Sequence, residues 1–327
     1  FGFLQFQQTD TVFHERPGDW DAIERVYATV DDQVARLLDR FDPDTVVVVS
    51  DHGIGEYTGY EFRVNDFLRD AGYLETRRGG DGMPSWDSIA RNELRTDGQD
   101  GSVPDHLFTR AFAGLSRVGL TAQRLERALD AVGLASVVAD VMPTDAIRAA
   151  AEQVDFAVST AYMRDRIELG VRINLAGRDP EGVVARADYD RVRRELEAAL
   201  EDVTTPAGDP VFEAVLPREA VFEGPHLDRA PDLILVPAAF DHFLSASVRG
   251  EQFAQPTESW NHKREGIVVA QGDGIDTDAT LGDAHIFDIA PTVLSTFGVP
   301  PSERMDGTPL TFVDAPSPRQ YPAFNAR

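Results

Sequence analysis

Three short stretches carry residues able to hold a metal ion. TDTVFHE sets Asp10 four residues before His14. At a strand end turning into a helical turn, that spacing puts both side chains on one side. A carboxylate with an imidazole suits zinc or manganese. TVVVVSDHGIGEY ends four valines in Ser50, Asp51, His52 and Gly53. Consecutive strand residues face opposite ways, so Asp51 and His52 reach one ion only where the chain bends, and Gly53 permits a bend. WNHKREGIVVAQG places His262 just before an apolar run. Taken singly, each stretch has a plainer reading: a solvated acid with a chance histidine, a turn acid capping the next segment, a surface-loop histidine.

The elements around these residues decide whether they can meet. Phe1 to Gln7 alternates like a strand. Ile23, Val26, Val30, Val34 and Leu37 recur at three- and four-residue steps, which predicts a helix from Asp19 to Arg40. Thr45 to Ser50 reads as a strand buried on both faces, as in the centre of a parallel sheet. Strand, helix and strand in that order imply a right-handed crossover. A short helix follows at Val64 to Ala71. Gly79 to Gly101 is polar and glycine-rich, and residues 104–153 read as helical, so 79–155 is expected to be an insertion or cap. GVRINLAGR, DPVFEAVLPREAVF, APDLILVPA and EGIVVAQG read as strands, YDRVRRELEAALEDV and IFDIAPTVLSTFG as helices. The expected fold is α/β, a mostly parallel central sheet flanked by helices. Its core is expected over 1–78 and 156–327. In such sheets ligands sit beyond the carboxyl ends of the strands, where Asp51 and His52 would lie.

Composition narrows the function classes. The chain of 327 residues has no cysteine, which removes disulfides, thiolate nucleophiles and cysteine-held zinc. Any metal must be held by histidines and carboxylates. No apolar run is long enough to span a bilayer. The formal net charge is −25, and Lys263 is the single lysine. Such a surface repels nucleic-acid backbone and anionic lipid. It resembles that of haloarchaeal proteins, whose carboxylates keep a hydrated surface where salt screens charge. A high-salt cytoplasm is the expected location. His106, His226, His242 and His285 read as surface or core-edge residues. GDGIDTDATLGD lacks the terminal glutamate of a calcium loop.

In their order along the chain, the three stretches resemble the alkaline phosphatase superfamily. The branch they look most like is the type I phosphodiesterase and nucleotide pyrophosphatase family. RINLAGRDPEGVV, APDLILVPA, IFDIAPTVLSTFGVP and MDGTPL also look like segments of that family. The resemblance implies a hydrolase of phosphoric esters with two divalent ions, zinc or else manganese, and a phosphoenzyme intermediate. It implies that Asp10, His14 and His262 hold one ion, and that Asp51 and His52 hold the other with two further ligands. In the family those two, an aspartate and a threonine or serine nucleophile, precede the Asp-x-x-x-His motif by a long stretch. Only nine residues precede Asp10 here, so the nucleophile and the first strand are expected upstream of Phe1, and this chain alone is expected to be inactive. Ser50, inside its strand, is expected to point away from the site. Arg63, Asn65, Tyr57 and Arg178 are candidate substrate contacts. The expected partners are a small phosphate-ester substrate and either the upstream segment or a second copy. A phosphomutase or sulfatase of the same superfamily, and a non-catalytic metal-binding fragment, remain open alternatives.

Overall fold

A computed structural model describes residues 1–78 and 152–322. The first part of the chain runs through α1 (Gln8–Glu15), α2 (Trp20–Phe41), β1 (Thr45–Val49) and β2 (Gly53–Glu56). The middle contributes β3 (Glu61–Arg63), α3 (Val64–Asp70), β4 (Thr76–Arg78), β5 (Glu152–Val154), β6 (Ala161–Tyr162) and β7 (Gly170–Ile173). It continues with α4 (Tyr189–Glu201), β8 (Phe212–Pro217), β9 (Leu233–Pro237), β10 (Phe243–Ser245) and β11 (Phe253–Ala254). The last part adds β12 (Trp260–Lys263), β13 (Val268–Gly272) and α5 (Ile289–Thr296). The chain divides into two compact units, Phe1–Glu56 with Glu258–Arg327, and Tyr57–Thr257. The expected insertion lies outside the described residues except at its C-terminal end, where Glu152–Val154 is a strand paired with β4 and not the tail of a helix.

The first unit holds α1, α2, β1, β2, β12, β13 and α5. Asp19 caps α2 by accepting from the Ala22 N–H at 3.0 Å, and Asp42 closes it in the left-handed region with φ 42°, just before Pro43. Of the expected apolar stripe only Ile23 is fully buried, and Val26, Val30, Val34 and Leu37 are half-buried. Among the described residues β1 pairs with β13 alone, antiparallel. Val48 and Val269 on these strands are 48% and 59% exposed. β2 and β12 form a second antiparallel pair.

Several expectations change here. Phe1 to Gln7 is not a strand, because no described strand pairs with it, and the chain enters α1 at Gln8. The crossover expected after it falls with it. β1 is not buried on both faces: four of its five residues are half-buried and Val48 is exposed. The described ladders are antiparallel apart from β10 with β3. The architecture is mixed α/β, and among the described residues the expected mostly parallel central sheet is not clearly shown.

The second unit is better packed. The sheet β6-β7-β9-β8 is covered by α4 through Val192, Leu196 and Leu200, against Ile173, Leu233, Leu235 and Phe62. Beneath it lies a polar network around Asp232, which is fully buried. Its carboxylate accepts from both terminal nitrogens of Arg178 at 2.7 Å, from the Tyr189 hydroxyl at 2.7 Å and from the Ile173 N–H at 2.7 Å. Burial pushes the Asp232 carboxyl up, but the hydrogen bonds and charge of Arg178 outweigh it and hold it below the ordinary carboxylate range. The same contacts hold Arg178 above its ordinary value against the opposing effect of its own burial. Burial and the bond to Asp232 push Tyr189 up to about 12.

Removing one member of such a network leaves buried charge without a partner. Asp232→Ala should therefore lower unfolding free energy by about 3–5 kcal/mol, measured by denaturant titration. Because the folded pKa of Asp232 is depressed, its contribution is present above an unfolded value of about 3.9. It is lost as pH falls from there through the folded value, so the wild-type advantage over Asp232→Ala should shrink below about pH 4.

Candidate metal centre

The centre is assembled from α1 and β12, with the β1–β2 corner beside it, all in the first unit. The four-residue step on α1 puts Asp10 and His14 one above the other, with the His14 Nε2 3.3 Å from the Asp10 Oδ1. An eight-residue helix is marginal by itself in water. Here it is held by burying Val12 and Phe13 against Ile23. The Phe13 ring stacks on Trp260 at 5.4 Å with 21° between planes. Trp260 and His262 share one face of β12. The contact that seats Phe13 on Trp260 therefore seats His14 beside His262, with ring centroids 5.2 Å apart.

The result is a triangle of ligand atoms. The two imidazole Nε2 atoms are 3.2 Å apart, and they lie 3.3 and 3.5 Å from the Asp10 Oδ1. Ligands about 2.0–2.1 Å from a tetrahedral ion lie about 3.3–3.4 Å from one another, the spacing of these three atoms. Asp10 Oδ1 is buried and has no hydrogen-bond partner, whereas Oδ2 accepts from Gln7 at 3.0 Å. An acceptor buried without a donor is costly. A cation at the centre of the triangle removes that cost. Burial, and then the neighbouring His52 and His14, push the His262 imidazole below its ordinary pKa despite Asp10 and Asp51. A neutral imidazole is the form that ligates. Asp10, His14 and His262 thus form a group fit for a divalent ion.

Asp51 and His52 stand beside this group without joining it. The backbone bends at both residues, and the His52 Nε2 comes within 3.6 Å of the Asp51 Oδ1. The His52 Nδ1 is 2.9 Å from the Gly53 carbonyl, so Nδ1–H donates there and Nε2 is left as the ligating nitrogen. The His52 ring stacks on His262 at 3.9 Å. Gly53 has a different role from the expected bend. A Cβ there would lie 2.0 Å from the Glu265 carbonyl oxygen, so glycine permits a close backbone approach. Ser50 is taken up structurally: its Oγ accepts from the Ile267 N–H at 2.8 Å, and its own N–H donates to the Ile267 carbonyl at 3.0 Å. His262 lies within a strand of its own, β12, because residues 260–263 pair with β2.

The candidate substrate contacts are engaged internally in the second unit. Arg63 donates to Glu61 at 2.9 Å and to the Glu251 carbonyl at 3.3 Å. Asn65 is fully buried; its amide bridges the Met163 and Ala246 carbonyls and accepts from the Met163 N–H. Arg178 belongs to the Asp232 network, and Tyr57 packs edge-on against Phe243. Sequence reasoning missed Glu258 and Asn261. Glu258 Oε2 lies 3.9 Å from the His14 Nδ1 and accepts from Asn261 at 2.5 Å. Asn261 in turn accepts from the His262 N–H at 2.7 Å. An acid four residues before His262 was the available signal.

The family model described as type I phosphodiesterase / nucleotide pyrophosphatase matches residues 1–132. Asp10, His14, Asp51 and His52 fall inside the match and His262 beyond it. No curated protein and no solved structure matches the chain. Among the described residues, no helix is long and apolar enough to cross a membrane.

Carboxylates behind ligating histidines set their orientation and basicity, and losing one costs roughly 10–100-fold in metal affinity. Glu258→Ala should weaken zinc binding by about that factor while leaving all three ligands in place. Competition against a chromophoric chelator reads the change.

Proposed function

We propose that this chain carries the metal-holding part of a metal-dependent phosphoric ester hydrolase, of the phosphodiesterase and nucleotide pyrophosphatase kind. The observation that carries the reading is the Asp10, His14 and His262 triangle, with a family match that spans two of its three members. Zinc is the assigned ion: two imidazoles and a carboxylate at tetrahedral spacing leave one position open, as catalytic zinc sites do. Bound there, a divalent ion supplies Lewis-acid polarisation of a phosphoryl oxygen. Asp10 and the two imidazoles would hold it, Glu258 places its charge 3.9 Å from the His14 Nδ1, Asn261 fixes the His262 backbone, and the Phe13–Trp260 stack packs beside them. Asp51 and His52 are assigned to a second ion, adjacent through the His52–His262 stack.

A second reading, metal binding without catalysis, is favoured by one observation. Ser50, the hydroxyl nearest in sequence to Asp51, is occupied by Ile267, so it is not assigned as a nucleophile. The net charge of −25 and the single lysine support work at high salt.

Cobalt(II) should bind in place of zinc and give the intense visible absorption of a tetrahedral site, lost in His262→Ala. Hydrolysis of bis(p-nitrophenyl) phosphate by the full-length protein should depend on zinc and fall at least about a hundredfold in His14→Ala. Tetrahedral cobalt without hydrolysis would select the non-catalytic reading, and no cobalt spectrum would overturn both. The melting temperature should rise as potassium chloride is raised from 0.1 M to molar levels, because screening relieves carboxylate repulsion.

A further inference from the structure

Beside the metal centre, a cleft of about 460 Å³ opens where α1 meets α2. It is a shallow depression, largely open to solvent. Its lining is Phe13, Trp20, Ile23, Glu24 and Tyr27. Trp20, Glu24 and Tyr27 follow one another at steps of four and three on α2, so they share a face of that helix. Phe13 and Ile23 are buried, whereas Trp20 is 62% and Tyr27 47% exposed. The rings brace one another: Trp20 meets Trp260 edge-on at 5.8 Å, and Tyr27 meets Phe13 edge-on at 6.3 Å.

Three of the five lining residues are aromatic, and Glu24 is the one that carries charge. Ring faces are negative and attract a cation within about 6 Å. A carboxylate at the same cleft adds to that attraction and opposes an anion. A neutral apolar group would use the rings and gain nothing from Glu24. The cleft also adjoins the metal ligands. Phe13 immediately precedes His14, and Tyr27 lies within the field of Asp10: burial first, and then the Asp10 charge, hold its hydroxyl above the ordinary pKa.

We propose that this cleft binds an organic ammonium group, so that the substrate class of the neighbouring centre is a phosphoester whose alcohol portion is cationic. The substrate assignment rests on the hydrolase reading above; the ammonium site does not. Glu24 supplies the counter-charge, and the anionic phosphate is kept at the metal end.

The test uses the full chain at fixed ionic strength, with and without zinc, and reads tryptophan fluorescence. Choline is titrated against its neutral isostere 3,3-dimethylbutan-1-ol. Choline should bind with a dissociation constant on the order of millimolar, and the isostere about tenfold more weakly. Glu24→Gln, an exposed isosteric change, should remove most of that difference without altering the thermal melt. Trp20→Ala should abolish the choline response. Equal affinity for the two probes, no response to either, or an unaltered preference in Glu24→Gln would overturn the ammonium site. A choline response without any zinc binding would instead overturn the hydrolase reading and leave the cleft assigned.

Discussion

The stacking of Phe13 on Trp260 is the contact on which the candidate centre depends. Asp10 and His14 are brought together by helical spacing alone, a local matter. His262 is 248 positions from His14, and no local rule brings the two together. What does so is the burial of one aromatic pair: Phe13 adjoins His14 on α1, and Trp260 is two residues from His262 on the same face of β12. Burying an aromatic side chain is worth roughly 1.5–3 kcal/mol, and a stacked pair adds about 0.5–1.5 kcal/mol. Those terms work against the loop-closure entropy of a long connection, which grows only slowly with length. The ligands are thus positioned by apolar packing beside them, and metal binding and the docking of α1 on β12 become one equilibrium.

The first unit has little else to hold it. β1 and β13 form a ribbon of two strands, an arrangement of marginal stability by itself, with valines open to solvent on both strands. Its support is a small cluster of Leu310, Phe312 and Val313 against Val268, Ala270, Ile275 and Ile289. The second unit has a continuous core and a satisfied buried ion network around Asp232. The candidate centre lies in the less buttressed unit. There, ligand contacts are a larger share of what fixes the structure, and the stack, the cap at Asp19 and the Ser50–Ile267 bonds carry proportionately more weight.

What could be read from the sequence followed from what is local. The helices around Ile23, Val64, Tyr189 and Ile289 were legible from three- and four-residue apolar steps, and Asp10 with His14 from their spacing, even though the preceding strand did not form. The β1 strand was legible, but its environment was not. A valine run reports apolar character and cannot report how many neighbours a strand will have. Gly53 was legible as special, yet its reason, the Glu265 carbonyl pressed against it, is a tertiary fact. Asn65 and Arg178 show the reverse failure. They were candidate substrate contacts, but each satisfies buried backbone or a buried carboxylate. A buried polar network has no sequence period by which to recognise it.

Charge joins the centre to the composition of the whole chain. Asp10, Asp51 and Glu258 surround the two imidazoles that would face a substrate, in a chain of net charge −25. An anionic phosphoester approaching such a surface is repelled, and the repulsion extends about 10 Å at 0.1 M salt but only about 3 Å at 1 M. Divalent cations are drawn to the same place. A bound ion therefore does two things for this chain: it satisfies the buried Asp10 oxygen, and it reverses the local sign of the field so that a phosphate can approach. A surface of net charge −25 is compatible with a phosphoester substrate only where cations, bound or in solution, offset it. The proposed metal dependence and the proposed high-salt operation would thus be two answers to one electrostatic constraint.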